Sequence, residues 1–100
     1  MVIVAGHVTV EPAQRESYLA ASVIIVEQGR AARGCLDVAV TADIVDPGRV
    51  NIFERRESQS ALEPFRRSGP VFEHAAAMLS MSMAEYDIAN VRPLFGGGEA

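Results

Sequence analysis

Val2 to Val10 carries apolar side chains in both phases of one short extended run: Val2, Val4, Val8 and Val10 in one, Ile3 and Ala5 in the other. Branching at Cβ favours extended backbone, and successive side chains of a strand point to opposite faces. A helix layer covers only one face of a sheet, so the second face of this strand also needs cover. In a chain of 100 residues, which allows a single thin core, a second copy of the chain is the simplest candidate.

The remaining elements follow from punctuation and period. Glu11-Pro12 ends the first strand, and proline suits a first helical position. A long helix is predicted from Pro12 to about Arg33, with Tyr18, Ala21, Ser22, Ile25 and Gly29 at helical spacing and Leu19, Val23 and Val26 widening the apolar stripe. Gly34 is its stop, with Arg30 and Arg33 near the negative end of the helix dipole. Cys35 to Val45 alternates as a second strand, Asp46-Pro47-Gly48-Arg49 is a turn, and Val50 to Arg56 is the partner strand of a hairpin. Ser58 or Ser60 caps a short helix, Ser60-Ala61-Leu62-Glu63 fits a capping box, and Pro64 keeps that helix short or kinked. Gly69-Pro70 restarts the chain into a helix over Val71 to Leu79, and Met81 to Val91 reads as a last strand. The tail from Pro93 to Ala100 is expected to be flexible. The order β-α-β-β-α-β is the split βαβ, ferredoxin-like pattern, an α+β fold with an antiparallel sheet, in one domain over residues 1–100.

Composition removes several functions. A formal net charge of −4 argues against a nucleic-acid module, which needs a basic patch for phosphates. One cysteine excludes an intrachain disulfide framework. The first residues lack the basic segment and long apolar core of a signal peptide, and no apolar run approaches the roughly 20 residues of a membrane span. A soluble, cytoplasmic protein is expected. Two distant histidines without H-x-E or C-x-x-C spacing define no metal site, and Gly96-Gly97-Gly98 follows no strand–helix junction, so no nucleotide cofactor is expected.

The chain resembles the antibiotic biosynthesis monooxygenase-like domains of the dimeric α/β-barrel superfamily. The resemblance rests on the opening strand, the helix closing on Arg33-Gly34-Cys35, the turn Asp46-Pro47-Gly48-Arg49, Phe53-Glu54-Arg55 followed by Ser58 to Leu62, and Ser68 to Phe72. It implies a homodimer in which two ferredoxin-like sheets pack face to face, each subunit keeping a pocket between its helices and its sheet. It also implies oxidation of a phenol-, quinol- or anthrone-like aromatic by O₂ without metal or flavin. The family often has tryptophan where this chain has Arg56. Its haem-degrading branch looks for asparagine, tryptophan and histidine where this chain has His7, Phe65 and Ala76, so haem degradation is disfavoured.

The candidate catalytic residues are His7, in phase with Ile3 and Ala5, and His74 in reserve. An imidazole in an apolar strand can serve as a base near neutral pH. His7 is expected to project into the pocket between sheet and helices. Phe65 and Phe72 are candidate substrate-binding walls, Cys35 reads as structural, and Glu54-Arg55-Arg56-Glu57 reads as solvated or dimer-rim charge. The alternative function is a non-catalytic small-ligand or regulatory dimer on the same fold.

Overall fold

A computed structural model describes residues 1–58 and 78–96. It contains β1 (Val2–Val10), α1 (Arg15–Ala31), β2 (Cys35–Ala42), β3 (Arg49–Arg56) and β4 (Met78–Asp87), with a single 3-10 turn at Pro12–Gln14 leading into α1. The four strands form one antiparallel sheet in the order β2-β3-β1-β4. That order, with β1 central and the first crossover made by α1, is the ferredoxin-like arrangement expected from the sequence. The predicted helix starting at Ser58 or Ser60 and most of the predicted helix over 71–79 lie outside the described residues.

Register assigns each residue to a face. Val8 pairs with Val50 on one side and Met81 on the other, and Val50 pairs with Ala42. Val8, Val10 and Val50 are fully buried with Tyr18 of α1, so this phase of the sheet faces the helix. Each buried valine contributes about 1.5 kcal/mol or more relative to exposure. Val2 and Val4 form a second small cluster in the same phase, with Met83 against it. Gly6 lies between the two clusters, and a Cβ there would overlap the Ser82 carbonyl oxygen of β4. The valine row is therefore interrupted at Gly6, where the β4 backbone occupies the place of a side chain.

Helix α1 packs over β2 and β3 through Tyr18, Ser22, Ile25 and Gly29. Of the predicted stripe, Ala21 and Val23 are exposed, and the neighbouring Ile24 is exposed as well. Arginines fasten both ends. Arg30 Nε donates to the Val38 carbonyl at 2.8 Å, and Arg15 Nη1 donates to the Asp43 and Asp46 carbonyls at 3.1 and 2.8 Å.

Several predicted boundaries move, each for a local reason. The helix ends at Ala31 rather than Arg33 because Ala32 turns extended (φ −70°, ψ 142°), and Gly34, at φ +81°, then steers the chain into β2. The second strand stops at Ala42, short of Val45, because the Asp43 carboxylate captures the Val45 and Asp46 amides at 3.1 and 2.8 Å. Met78 and Leu79 are strand, not helix end: Met78 pairs with Val10 across an irregularity at Thr9/Val10. Long-range pairing with a nine-residue β1 overrides the helical preference of Met and Leu. The last strand ends at Asp87 rather than Val91, and the Met1 carbonyl accepts the Ile88 N–H at 2.9 Å just beyond it.

Candidate functional site

The helix-facing side of the sheet carries a charged pair inside the core layer. β3 runs Val50, Ile52, Glu54, Arg56 in this phase, and the last two sit beside Val4 and Val2 of β1. Arg56 is completely buried. Its Nη2 lies 3.6 Å from Glu54 Oε2, and its Nη1 donates to the Gly29 carbonyl of α1 at 3.4 Å. The Glu54 side chain keeps 15% exposure, so it is the member of the pair nearer to solvent. In the same row Glu85 of β4 lies on the other side of Val4, and Gly6 is the next residue of β1 in that phase.

Reading Glu54 and Arg56 as solvated charge is therefore incorrect. Both lie in phase with Val50 and Ile52, which form part of the core cluster, and the alternation of β3 was the signal that could have found them. A guanidinium shut away from water is costly unless a counter-charge and hydrogen bonds accompany it, and here Glu54 and the end of α1 supply both.

His7 is placed differently from expectation. It pairs with Asn51 of β3 and Ser82 of β4, in the phase opposite to Val8, and so lies on the sheet face away from α1. It does not project into the space between sheet and helix. The valines of the opposite phase claim the helix, and an odd-numbered residue of β1 must then face the other way. The row across that open face reads Thr41, Asn51, His7, Ser82, and the neighbouring row reads Ala39, Phe53, Ala5, Ala84. His7 is half-buried there. His74, Phe65 and Phe72 lie outside the described residues. Cys35 is a half-buried free thiol at the start of β2.

A third polar group organises the β2–β3 loop. Asn51 Nδ2 donates to Asp43 Oδ1 at 3.0 Å, Arg49 Nε donates to Asn51 Oδ1 at 2.7 Å, and Arg49 Nε lies 3.7 Å from Asp43 Oδ1. The Asn51 amide, then the Asp46 and Val45 amides, hold the Asp43 carboxyl down to about 2. Burial pushes the Tyr18 hydroxyl up. Among the described residues no three His, Cys, Asp or Glu side chains gather as a metal site, and no helix is long and apolar enough to cross a membrane.

With this geometry the comparisons with known proteins are unambiguous about kinship. The sequence pattern of the antibiotic biosynthesis monooxygenase family matches residues 1–78. The chain belongs to that family. Solved structures share its fold. A protein of Deinococcus radiodurans that carries the same family name superposes with a TM-score of 0.83 at 19% identity, covering 96% of this chain and 100% of its own. One from Nitrosomonas europaea, named likewise, gives 0.81 at 15% identity, over 90% of this chain and 100% of its own. The Mycobacterium tuberculosis protein Rv0793 gives 0.77 at 21% identity, over 92% and 98%. No curated protein matches. The family membership supports oxygenase chemistry as a class, and identities this low carry the fold alone.

Proposed function

We propose that this member of the antibiotic biosynthesis monooxygenase family oxidises a small phenol-, quinol- or anthrone-like aromatic with O₂, needing no metal or flavin, and acts as a homodimer. The reading is supported by the family match over residues 1–78 together with the Glu54–Arg56 pair set in the helix-facing layer beside Val4 and Val2. In the reaction a base takes a proton from the activated carbon or hydroxyl of the substrate. The resulting anion passes one electron to O₂, and the radical pair recombines to a peroxide. The peroxide recovers the proton and loses water, so a CH₂ group and O₂ become C=O and H₂O.

Glu54 is the proposed proton acceptor. A lone carboxylate in an apolar layer takes up a proton and loses its use as a base; the Arg56 guanidinium at 3.6 Å favours the charged form. Arg56 is then a positioning residue, holding Glu54 ionised and fixed through its bond to the Gly29 carbonyl. Val4 and Met83 pack beside the pair, and low-dielectric neighbours strengthen the electrostatic interactions made there.

His7 is the second candidate acceptor. Its polar row on the open sheet face favours a role only where a second subunit closes over that face. The test is oxygen uptake with a panel of anthrones and quinols in the presence of a chelator, for wild type, Glu54→Gln and His7→Ala. The proposal expects uptake that Glu54→Gln abolishes and His7→Ala largely spares.

A further inference from the structure

Arg56 brings a positive charge into the helix-facing layer, and the other charged strand residues described there are acidic. The rows fixed by strand pairing are Val38, Glu54, Val4, Glu85 and, beside it, Cys35, Arg56, Val2, Asp87. Among the described strand residues of this face Arg56 is the one cation, since Arg49 and Arg55 fall in the opposite phase of β3. From α1, Arg30 is turned to the Val38 carbonyl, and Gly29 offers its carbonyl to Arg56. Among the described residues the titratable and charged groups around Glu54 are therefore Arg56 at 3.6 Å, Cys35 on β2, Arg30 on α1, and Glu85 and Asp87 on β4.

Access differs within the pair. The Arg56 side chain is 0% exposed and that of Glu54 is 15% exposed. An incoming molecule meets the carboxylate and feels the guanidinium behind it. A ligand that arrives as an anion sets a second negative charge beside Glu54, and Glu85 across Val4 adds to the repulsion. Two like charges crowded at one low-dielectric site do not both stay ionised, and one of them takes up a proton. A ligand that still carries its proton donates it to Glu54 and leaves the charge count unchanged.

We propose that the Glu54–Arg56 pair selects weakly acidic phenols and enols over aromatic carboxylates, binding them with a single proton shared between the ligand oxygen and Glu54. The inference rests on Glu54 as the proton acceptor proposed above and adds the ligand's own acidity as the selecting property. Only the O–H bond is involved: the proton lies between the phenol oxygen and the carboxylate, and Arg56 balances the one negative charge that the two share. A phenol that ionises near neutrality enters with its proton. An aromatic acid, ionised above about pH 4 like a side-chain carboxyl, must first recover one, which at pH 7 lowers its affinity by about a thousandfold. The same linkage fixes a slope. Above the ligand's own pKa, wild-type affinity falls by about tenfold per pH unit, because a proton must accompany each phenolate. In Glu54→Gln the guanidinium faces a neutral amide, and a phenolate can itself supply the counter-charge.

The experiment is an anaerobic titration of wild type and Glu54→Gln with 4-nitrophenol, whose absorbance reports its ionisation, and with benzoate. The expected wild-type affinity for nitrophenol falls by about tenfold per pH unit above the ligand's pKa, and benzoate binds about a hundredfold more weakly or worse at neutral pH. Glu54→Gln should keep its affinity over the same range and bind the phenolate about tenfold tighter than wild type does. The same falling affinity in both proteins, or benzoate bound as tightly as nitrophenol, overturns the inference. So does the absence of binding by folded wild type. If Glu54→Gln fails to fold, the wild-type spectrum below the ligand's pKa decides. A bound band displaced towards that of the phenolate supports a proton shared with Glu54, and the band of the neutral phenol overturns it. Oxygen uptake is read separately: uptake without this binding pattern overturns the inference alone, and the pattern without uptake overturns the oxidation alone.

Discussion

Arg56 and Glu54 occupy the same helix-facing side of β3, two residues apart, with Nη2 and Oε2 separated by 3.6 Å and the guanidinium wholly excluded from solvent. Placing an ion pair in so small a core is costly in desolvation, and removing one partner is costlier than removing both. Arg56→Met should lower unfolding free energy by about 3 kcal/mol, read by urea denaturation. Glu54→Gln/Arg56→Met should be less destabilised than the sum of the single variants, by roughly 1–3 kcal/mol. Strict additivity would show that the two groups do not act on each other.

Gly6 sets the spacing of β1 and β4. Gly6→Ala places a methyl group against the Ser82 carbonyl, a backbone atom that cannot swing aside. The variant should lose about 2–3 kcal/mol and show a lower thermal midpoint. Full stability in Gly6→Ala would mean that the two strands can move apart at little cost.

Asp43 sets a pH limit for the loop. Its carboxyl is held at about 2 in the folded chain against an ordinary value of 3.8. Its contribution to stability is therefore complete above the ordinary value and is lost as pH falls through the folded one. Amide resonances of Val45 and Asp46 should hold their positions from neutral pH down to about 4, then move together with a midpoint near 2. A midpoint near 4 would mean that the three donors to this carboxylate bring no preference for its charged form.

His7 tests which face of the sheet holds the chemistry. Because it faces away from α1 with Asn51 and Ser82 beside it, His7→Ala should leave turnover near the wild-type value and alter the dimer instead, as read by sedimentation. A loss of about a hundredfold in turnover with the dimer intact, the usual scale for a missing general base, would move the reaction to the open face.

The strand order and the two-faced β1 were legible in the sequence because period-two alternation is a local property, and Val2, Val4, Val8 and Val10 declare a face on their own. Which face meets the helix was not legible. It is decided by Tyr18 packing against Val8 and Val50, a contact between residues far apart in the chain, and that choice carried His7 to the opposite side from the one expected. The pair on β3 was hidden for another reason. Glu-Arg-Arg-Glu reads as surface by composition, and only the phase of Arg56 with Val50 and Ile52 shows that one of its arginines is interior. The ends of strands shifted where a side chain, as at Asp43, or a partner strand, as at Met78, competed with local preference.

The central claim is that Glu54 takes the proton that starts a reaction between an aromatic substrate and O₂. It is tested most directly by measuring O₂ consumed and carbonyl product formed by wild type and Glu54→Gln, across anthrone- and quinol-type substrates with a chelator present. The account predicts one O₂ per carbonyl product in the wild type and a rate lower by about a hundredfold or more in a folded Glu54→Gln, the scale of a lost general base. Wild-type turnover in Glu54→Gln, or no oxygen uptake by folded wild type on any of these substrates, would contradict it.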